Sequence, residues 1–375
     1  MNHSVMLCSV NQGVAVGMVF FRIKMKMRID DLHAANLTKF EASKYRALPK
    51  FLLIRFSSIG DIVLTSPVIR CLKEQVPGAE VHFLTRSNFK MVLEHHPQID
   101  KLWTSDGSLD DVAEALKMEK YDAVIDLHHN VRTLKLKRLL KVKSFSFRKL
   151  NIEKWLLVNL HINRMPPIHI VDRYLETVAS FNVKNDQQGL DFYPEPGAEK
   201  VLDRLPPSHQ NGFVAIAIGA QHTTKMMPSE KIGRVVKLIK MPVVLLGGKE
   251  DKVRGKQVEM AAGAMVWNAC GLTSLGESAE ILKAAKVVLT HDTGLMHIAS
   301  SFKKPIVSVW GNTVPAFGMY PYLPGHENLS KIMEVKDLKC RPCTKIGFDK
   351  CPKGHFQCMR GIEEERIVEA IKSFL

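Results

Sequence analysis

From position 49 onward, short apolar runs alternate with stretches in which apolar residues recur every three or four positions. These are the periods of a buried strand and an amphipathic helix. In the first half the pattern predicts strands over 51–56, 80–84, 122–127 and 143–147. Helices are predicted over 62–76, 88–95, 109–118 and 171–181, with turn-rich stretches such as "PGAE" and "DGSLDD" between them. The alternation fades across 193–212, "YPEPGAEKVLDRLPPSHQNG", whose four prolines and two glycines read as a linker. It resumes with strands expected over 213–218, 242–246, 287–290 and 306–310. Helices are expected over 229–239, 252–264, 276–285 and 295–302.

Two βα runs of similar size predict an α/β fold of two doubly wound, Rossmann-like domains facing a central cleft. The first domain spans 49–192 and the second 213–360, with a closing helix over 361–375 expected to pack back on the first domain. Residues 1–48 read as a loosely ordered extension. Its apolar stretch, "VMLCSVNQGVAVGMVFF", is broken by "NQG" and has no basic residue ahead of it, a poor signal peptide and a poor membrane span. The expected compartment is the cytoplasm.

In doubly wound sheets, ligands sit at the carboxyl ends of the strands, so the turns there carry the candidate chemistry. "RFSSIGDIVLTSPVI" (55–69) has the strand–turn–helix grammar of a phosphate site, yet Asp61 stands where an anion wants amides and a lysine. "VVLTHDTGLMHIASSF" (287–302) suits an anion better. The amides of Thr293, Gly294 and Leu295 and the Thr293 hydroxyl form a cradle for a diphosphate, with His297 one turn in. Asp292 is either the helix N-cap or part of that site. In "AIAIGAQHTTKMMPSEKI" (215–232), Gly219 turns the chain away from the strand and Lys225 is a loop cation. In "LLGGKEDKVRG" (245–255), Lys249, Glu250 and Asp251 compete for a ribose contact, with Glu250 preferred. Gly311, Asn312 and Thr313 of "WGNTVPAFGMYPY" complete the pocket. "DLHHNVRTLKLKRLLK" (126–141) brings His128, His129, Asn130 and Arg132 to the cleft from the first domain.

Composition narrows the class. With 46% hydrophobic and 24% charged residues in 375, the chain is globular. Its net charge of +15 points to a polyanionic partner. The excess is concentrated: residues 132–164 hold ten Lys or Arg against one acid, Glu153, with leucines, Phe145 and Trp155 interleaved. Such a run suits an anionic membrane surface. No G-x-G-x-x-G follows either first strand, which argues against a dinucleotide oxidoreductase. Four of seven cysteines fall in "CRPCTKIGFDKCPKGHFQC": Cys340, Cys343, Cys351 and Cys358, with His355 among them. The spacing is open to two readings, a structural zinc site or free thiols.

With "SSIGDIVLTSPVI", "GAQHTTKMMP", "HDTGLMHIA" and "WGNTVP" in that order, the chain resembles glycosyltransferase family 9, the lipopolysaccharide heptosyltransferases, over about residues 50–375. The resemblance implies GT-B architecture and an inverting, metal-independent transfer of heptose from ADP-heptose. The acceptor it implies is the phosphorylated inner core of lipopolysaccharide, of the Kdo-lipid A type, at the cytoplasmic face of the inner membrane. It implies Asp61 as catalytic base and Lys225 as the phosphate-contacting catalytic lysine. Asp292, Thr293, Gly294 and His297 fall in the donor turn, with Gly219, Glu250 and Thr313 beside it. Ser58, Gly60, His128, His129, Asn130 and Arg132 fall on the acceptor side. No cofactor is required and no nucleic acid is expected. Three departures touch the donor pocket: Met227 stands where the family often has Trp, "GNTVP" lacks an acid of the family's "GPTDP", and the ribose glutamate has no single match. The alternatives are a sugar-nucleotide epimerase of the same build, or a basic nucleic-acid-binding protein with a zinc site.

Overall fold

A computed structural model describes residues 48–263 and 265–375. The expectations for residues 1–47 lie outside the described residues. The first lobe runs β1 (Lys50–Ile54), α1 (Ile59–Val63), α2 (Ser66–Gln75), β2 (Glu80–Thr85), β3 (Lys101–Thr104), α3 (Asp110–Met118), β4 (Ala123–Asp126), α4 (Val131–Leu140), β5 (Ser144–Ser146), α5 (Asn151–Leu160) and α6 (Ile170–Leu175). The second runs β6 (Val214–Ala217), α7 (Ser229–Ile239), β7 (Val243–Leu246), α8 (Lys252–Ala262), β8 (Val266–Asn268), α9 (Leu275–Ala284), β9 (Val287–His291), α10 (Gly294–Ser301), β10 (Ile306–Trp310), β11 (Ser330–Glu334), α11 (Gln357–Arg360) and α12 (Glu364–Lys372).

Both sheets are parallel, ordered β3-β2-β1-β4-β5 and β11-β10-β9-β6-β7-β8. Counted within each lobe, these are the 3-2-1-4-5 and 3-2-1-4-5-6 orders of doubly wound folds. The order reverses between β1 and β4 in one sheet and between β6 and β9 in the other, and ligand crevices form outside such points. Central strands are covered on both faces and read as unbroken apolar runs: Phe51 to Ile54 and Val243 to Leu246 are fully buried. The edge strands β3, β5, β8 and β11 are short and half-exposed.

Several expectations change. The helix expected over 62–76 is two helices. Pro67 has no N–H to give the Val63 carbonyl, and the Ser66 hydroxyl donates to it instead at 2.8 Å. The Thr65 hydroxyl likewise donates to the Ile62 carbonyl at 2.7 Å. The stretch over 88–95 is a 3-10 helix, Ser87–Val92. The 193–212 segment is no bare linker, since its 3-10 helix Ala198–Arg204 packs on α9. The closing helix α12 does not pack back on the first lobe. It lies on α7, β10 and β11, with Ile367, Val368, Ala370 and Ile371 in the apolar cluster of Val235 and Ile239. Glu364 anchors it there by pairing with Arg234 at 2.7 Å and Lys231 at 3.3 Å.

The lobes are joined beyond the connecting chain. The His169 imidazole bonds the Tyr320 carbonyl at 2.9 Å, Ile170 N–H donates to Gly318 O at 2.8 Å, and Arg173 donates to Phe317 O at 3.2 Å. One apolar cluster runs from Phe51 and Leu53 through Tyr174 to Phe213, Ala215 and Trp310.

Candidate active site

The four turns outside the two reversal points face one another. From β1 comes Arg55 to Asp61. Arg55 is buried, and its guanidinium donates to Ser57 O at 2.7 Å, Leu127 O at 2.6 Å and Tyr174 Oη at 3.1 Å. Its remaining nitrogen meets Asp61 Oδ1 at 2.7 Å. The other carboxylate oxygen accepts from Ser58 N–H at 3.2 Å and Ser58 Oγ at 2.8 Å. Burial pushes the Asp61 carboxyl up, but Arg55, the Ser58 hydrogen bonds and His297 outweigh it and hold the group below its ordinary value. Asp61 therefore closes a capping box as the third residue of α1, with Ser58 the N-cap, and stays ionised at neutral pH. Ser58, expected as an acceptor contact, spends its hydroxyl on that carboxylate.

The β9 and β6 turns supply the opposite wall. Thr293, not Asp292, is the N-cap of α10, and its side chain makes no cap hydrogen bond. Asp292 instead pairs with Lys225 Nζ at 2.7 Å and accepts from Thr313 Oγ1 at 2.9 Å. That pair ties together the loops after β6, β9 and β10. His297 is buried and pushed down to about 4, chiefly by burial, with Asp292 and Asp61 opposing, so its ring is neutral near pH 7. Its Nδ1 has no partner among the described residues. Its edge lies over the first lobe: a Cβ at Gly60 would meet His297 Cδ2 at 2.7 Å, and one at Gly294 would meet Ile59 Cγ2 at 2.8 Å and Gly60 N at 3.2 Å. Gly60 and Gly294 thus let the starts of α1 and α10 abut.

Gly219 is required for a different reason than a turn: a Cβ there would meet the Asp251 carboxylate at 2.1 Å. Asp251 is buried and caps its own loop by accepting from Gly248 N–H at 2.9 Å. Of the acids competing for a ribose contact, this leaves Glu250 exposed.

The acceptor-side expectations divide. Asn130 is the N-cap of α4, its Oδ1 accepting from Thr133 N–H at 3.0 Å. His129 bonds the Phe147 carbonyl at 3.0 Å, and Arg132 donates to Gly107 O at 3.0 Å while stacking on Phe56. Each of these three side chains thus has a partner within the first lobe, and for Asn130 this is the usual fate of a short polar group at a helix start. His128 remains turned to the site, held near 4 by burial, Arg55 and Lys149. Sequence reading missed the main cations here. Lys149, Lys154 and Arg173 from the first lobe and Lys345 from the second share one electrostatic neighbourhood with Asp61. Burial, Arg173, Lys345 and Lys149 bring Lys154 down to about 8 despite Asp61. The signal was available in the basic run, but not its direction. Arg55 was missed because it falls inside the strand expected over 51–56 and carries no motif of its own.

One trio among the described residues stands within metal-ligating distance, Glu80, His82 and Glu119. Lys50 and Lys101 already neutralise it through pairs of 3.0 Å and 2.6 Å, and it lies at the amino ends of the strands, away from the cleft.

Comparisons with known proteins bear on the family and the fold. The profile of glycosyltransferase family 9 (heptosyltransferase) matches residues 110–348. Lipopolysaccharide heptosyltransferase 1 of Campylobacter coli is 23% identical over 350 residues, covering 86% of this chain and 98% of that protein. Lipopolysaccharide heptosyltransferase 1 of Escherichia coli K12 is 25% identical over 292 residues, covering 71% and 89%. Among solved structures, the family 9 glycosyltransferase of Veillonella parvula superposes with a TM-score of 0.71 at 22% identity, covering 88% of this chain and 98% of that one. E. coli heptosyltransferase WaaC with ADP gives 0.60 at 19%, covering 87% and 100%. The fold is the GT-B arrangement of these transferases.

Proposed function

Because the chain belongs to glycosyltransferase family 9, we propose that it moves a heptose from ADP-heptose onto an anionic, lipid-linked inner-core sugar, with inversion. The observation that carries this is the direct abutment of the Asp61 turn on the Thr293–Gly294 turn, an ionised acid on one lobe opposite an anion cradle on the other. The acceptor hydroxyl attacks the anomeric carbon on the face opposite the ADP. The bond from that carbon to the β-phosphate oxygen breaks, and the hydroxyl proton passes to Asp61 Oδ. Arg55 weakens Asp61 as a base, so the proton moves late, once the attacking oxygen has become acidic by bonding to an oxocarbenium-like carbon. Charge gathering on the β-phosphate is met by Lys225 Nζ and the amides at the start of α10. Asp292 holds Lys225 ready, and Glu250 stands where a ribose hydroxyl would come. Lysine and amides supply the charge neutralisation, so the scheme assigns no step to a metal ion. His128, Lys149, Lys154 and Lys345 would face the acceptor's carboxylates or phosphates.

The test is a thermal-shift titration with ADP, UDP and GDP, followed by transfer from ADP-heptose to Kdo-lipid A read by mass spectrometry. ADP alone should raise the melting temperature, and the product should gain one heptose. Preference for UDP would overturn the donor assignment.

The lipid of the proposed acceptor suggests a peripheral, membrane-facing surface; no described helix is long and apolar enough to cross a bilayer. On α5 and just beyond it, Ile152, Trp155, Leu160 and Ile162 are exposed, and Arg138, Lys141, Lys143 and Arg148 are exposed nearby. Exposed aromatic and aliphatic groups among cations suit an anionic interface. The protein should co-sediment with phosphatidylglycerol vesicles, less so in high salt and with Trp155→Ala. Equal binding to neutral vesicles would count against it.

A further inference from the structure

Residues 335–356 form a long segment without helix or strand, between β11 and α11. Structureless stretches of more than about 15 residues inside a compact fold are unusual and call for some other restraint. Apolar burial restrains only its ends, where Val335, Leu338 and Phe356 pack on the apolar cluster of Val235 and Ile239; in the middle, Ile346 and Phe348 are exposed among Lys, Pro, Gly and Asp. Yet the segment makes exacting contacts. Arg341 donates to Gly311 O at 2.6 Å and to Thr313 O at 2.8 Å, and Cys343 N–H donates to Asn312 O at 3.2 Å. Phe348 N–H donates to Thr224 Oγ1 at 2.8 Å, and Thr224 N–H donates back to Phe348 O at 3.1 Å. Gly347 comes so near the same loop that a side chain there would meet His222 Cβ at 2.5 Å. The segment therefore braces two of the three loops that hold the Lys225–Asp292–Thr313 cluster, those after β6 and β10.

Its thiols converge. Cys340, Cys343 and Cys351 of this segment and Cys358 of α11 form no disulfide, and the first three each lie within electrostatic reach of Cys358. Cys340 and Cys343 have C-x2-C spacing and are close in space, the Cys343 thiol donating to the Cys340 carbonyl at 2.8 Å, and His355 Nε2 is 3.8 Å from Cys340 Sγ. The thiols do not yet stand at ligating distance from one another, so the ion would draw them inward.

We propose that Cys340, Cys343, Cys351 and Cys358 bind one tetrahedral, thiophilic metal ion, zinc or iron, which staples this segment and so fixes the two donor loops from behind. The thiols lose their protons to solvent as the ion binds. The metal is structural and touches no substrate. Its binding is independent of the sugar-transfer reading, whereas its effect on nucleotide affinity rests on the donor site assigned above.

The full chain, purified without added metal and again after stripping and reloading with Zn²⁺ or Fe²⁺ under reducing conditions, should carry about one ion by elemental analysis. Co²⁺ loading should give the intense ultraviolet absorption of cobalt–thiolate bonds. Cys351→Ser and Cys340→Ser should lose the ion while circular dichroism stays α/β, and His355→Ala should keep it. ADP affinity by calorimetry should fall about tenfold on metal removal, a coupling of ordinary size between neighbouring sites. A folded chain that takes up neither ion would overturn the proposal, and so would Cys351→Ser retaining it while His355→Ala does not. Metal bound with ADP affinity indifferent to it would refute the brace, and metal bound with no ADP affinity at all would indict the donor site instead.

Discussion

Asp61→Asn should lower kcat about a thousandfold, the range in which a positioned base acts, and leave ADP affinity nearly unchanged. The amide keeps the volume and can still accept from Ser58, but it cannot take the acceptor's proton. It also deprives buried Arg55 of its counter-ion, which costs on the order of 3 kcal/mol of stability, so kinetics belong well below a lowered melting temperature. The pH dependence separates the two effects. Asp61 is held below its ordinary 3.8. A depressed carboxyl adds stability that is complete above its unfolded value and fades as pH falls through the folded one. That acid-side loss of stability should be present in the native chain and reduced in the variant. Activity needs the ionised form, so kcat/KM should be level from about pH 5 to 7. His128 and His297, both near 4, add no inflection there. An acid limb near pH 6 would mean that another group takes the proton, and Asp61 would lose its role.

Lys225→Ala should weaken ADP binding about a hundredfold and cut kcat by a similar factor, the usual cost of removing a stabiliser of leaving-group charge. The loss exceeds one attraction. Asp292, left with the Thr313 hydroxyl alone, would turn an unneutralised carboxylate toward an incoming diphosphate. Adding Asp292→Asn should therefore recover part of the ADP affinity lost by Lys225→Ala, a non-additivity that a double-mutant cycle by calorimetry would measure. Undiminished ADP affinity in Lys225→Ala would remove the lysine from the cradle.

The central strands and their turns were readable because strands buried on both faces must be apolar throughout, and because a reversal of strand order fixes which turns can meet. Strands such as β3 and β11, with one side in water, carry no such signature. Asp61, Lys225 and Thr293 were singled out by the strand–turn–helix grammar around them, and the roles expected of them came from the family resemblance. Arg55 was not, since its meaning depends on Leu127 O and Tyr174 Oη, groups far off in sequence. Asn130 misled in the opposite sense: a polar residue near the cleft, with Thr133 three positions on, was already spoken for by its own helix. The closing helix α12 was expected, but its sequence could not say which lobe offered the matching apolar groove and the Arg234 and Lys231 partners.

The bare backbone at Gly60 and Gly294 makes the halves of this enzyme a matched set. A chimera joining a donor half from one relative to an acceptor half from another keeps its working gap only when both carry glycine at those points. One methyl at residue 294 would meet Ile59 and the Gly60 nitrogen and prop the halves ajar, moving the Asp61 turn away from the Thr293 turn.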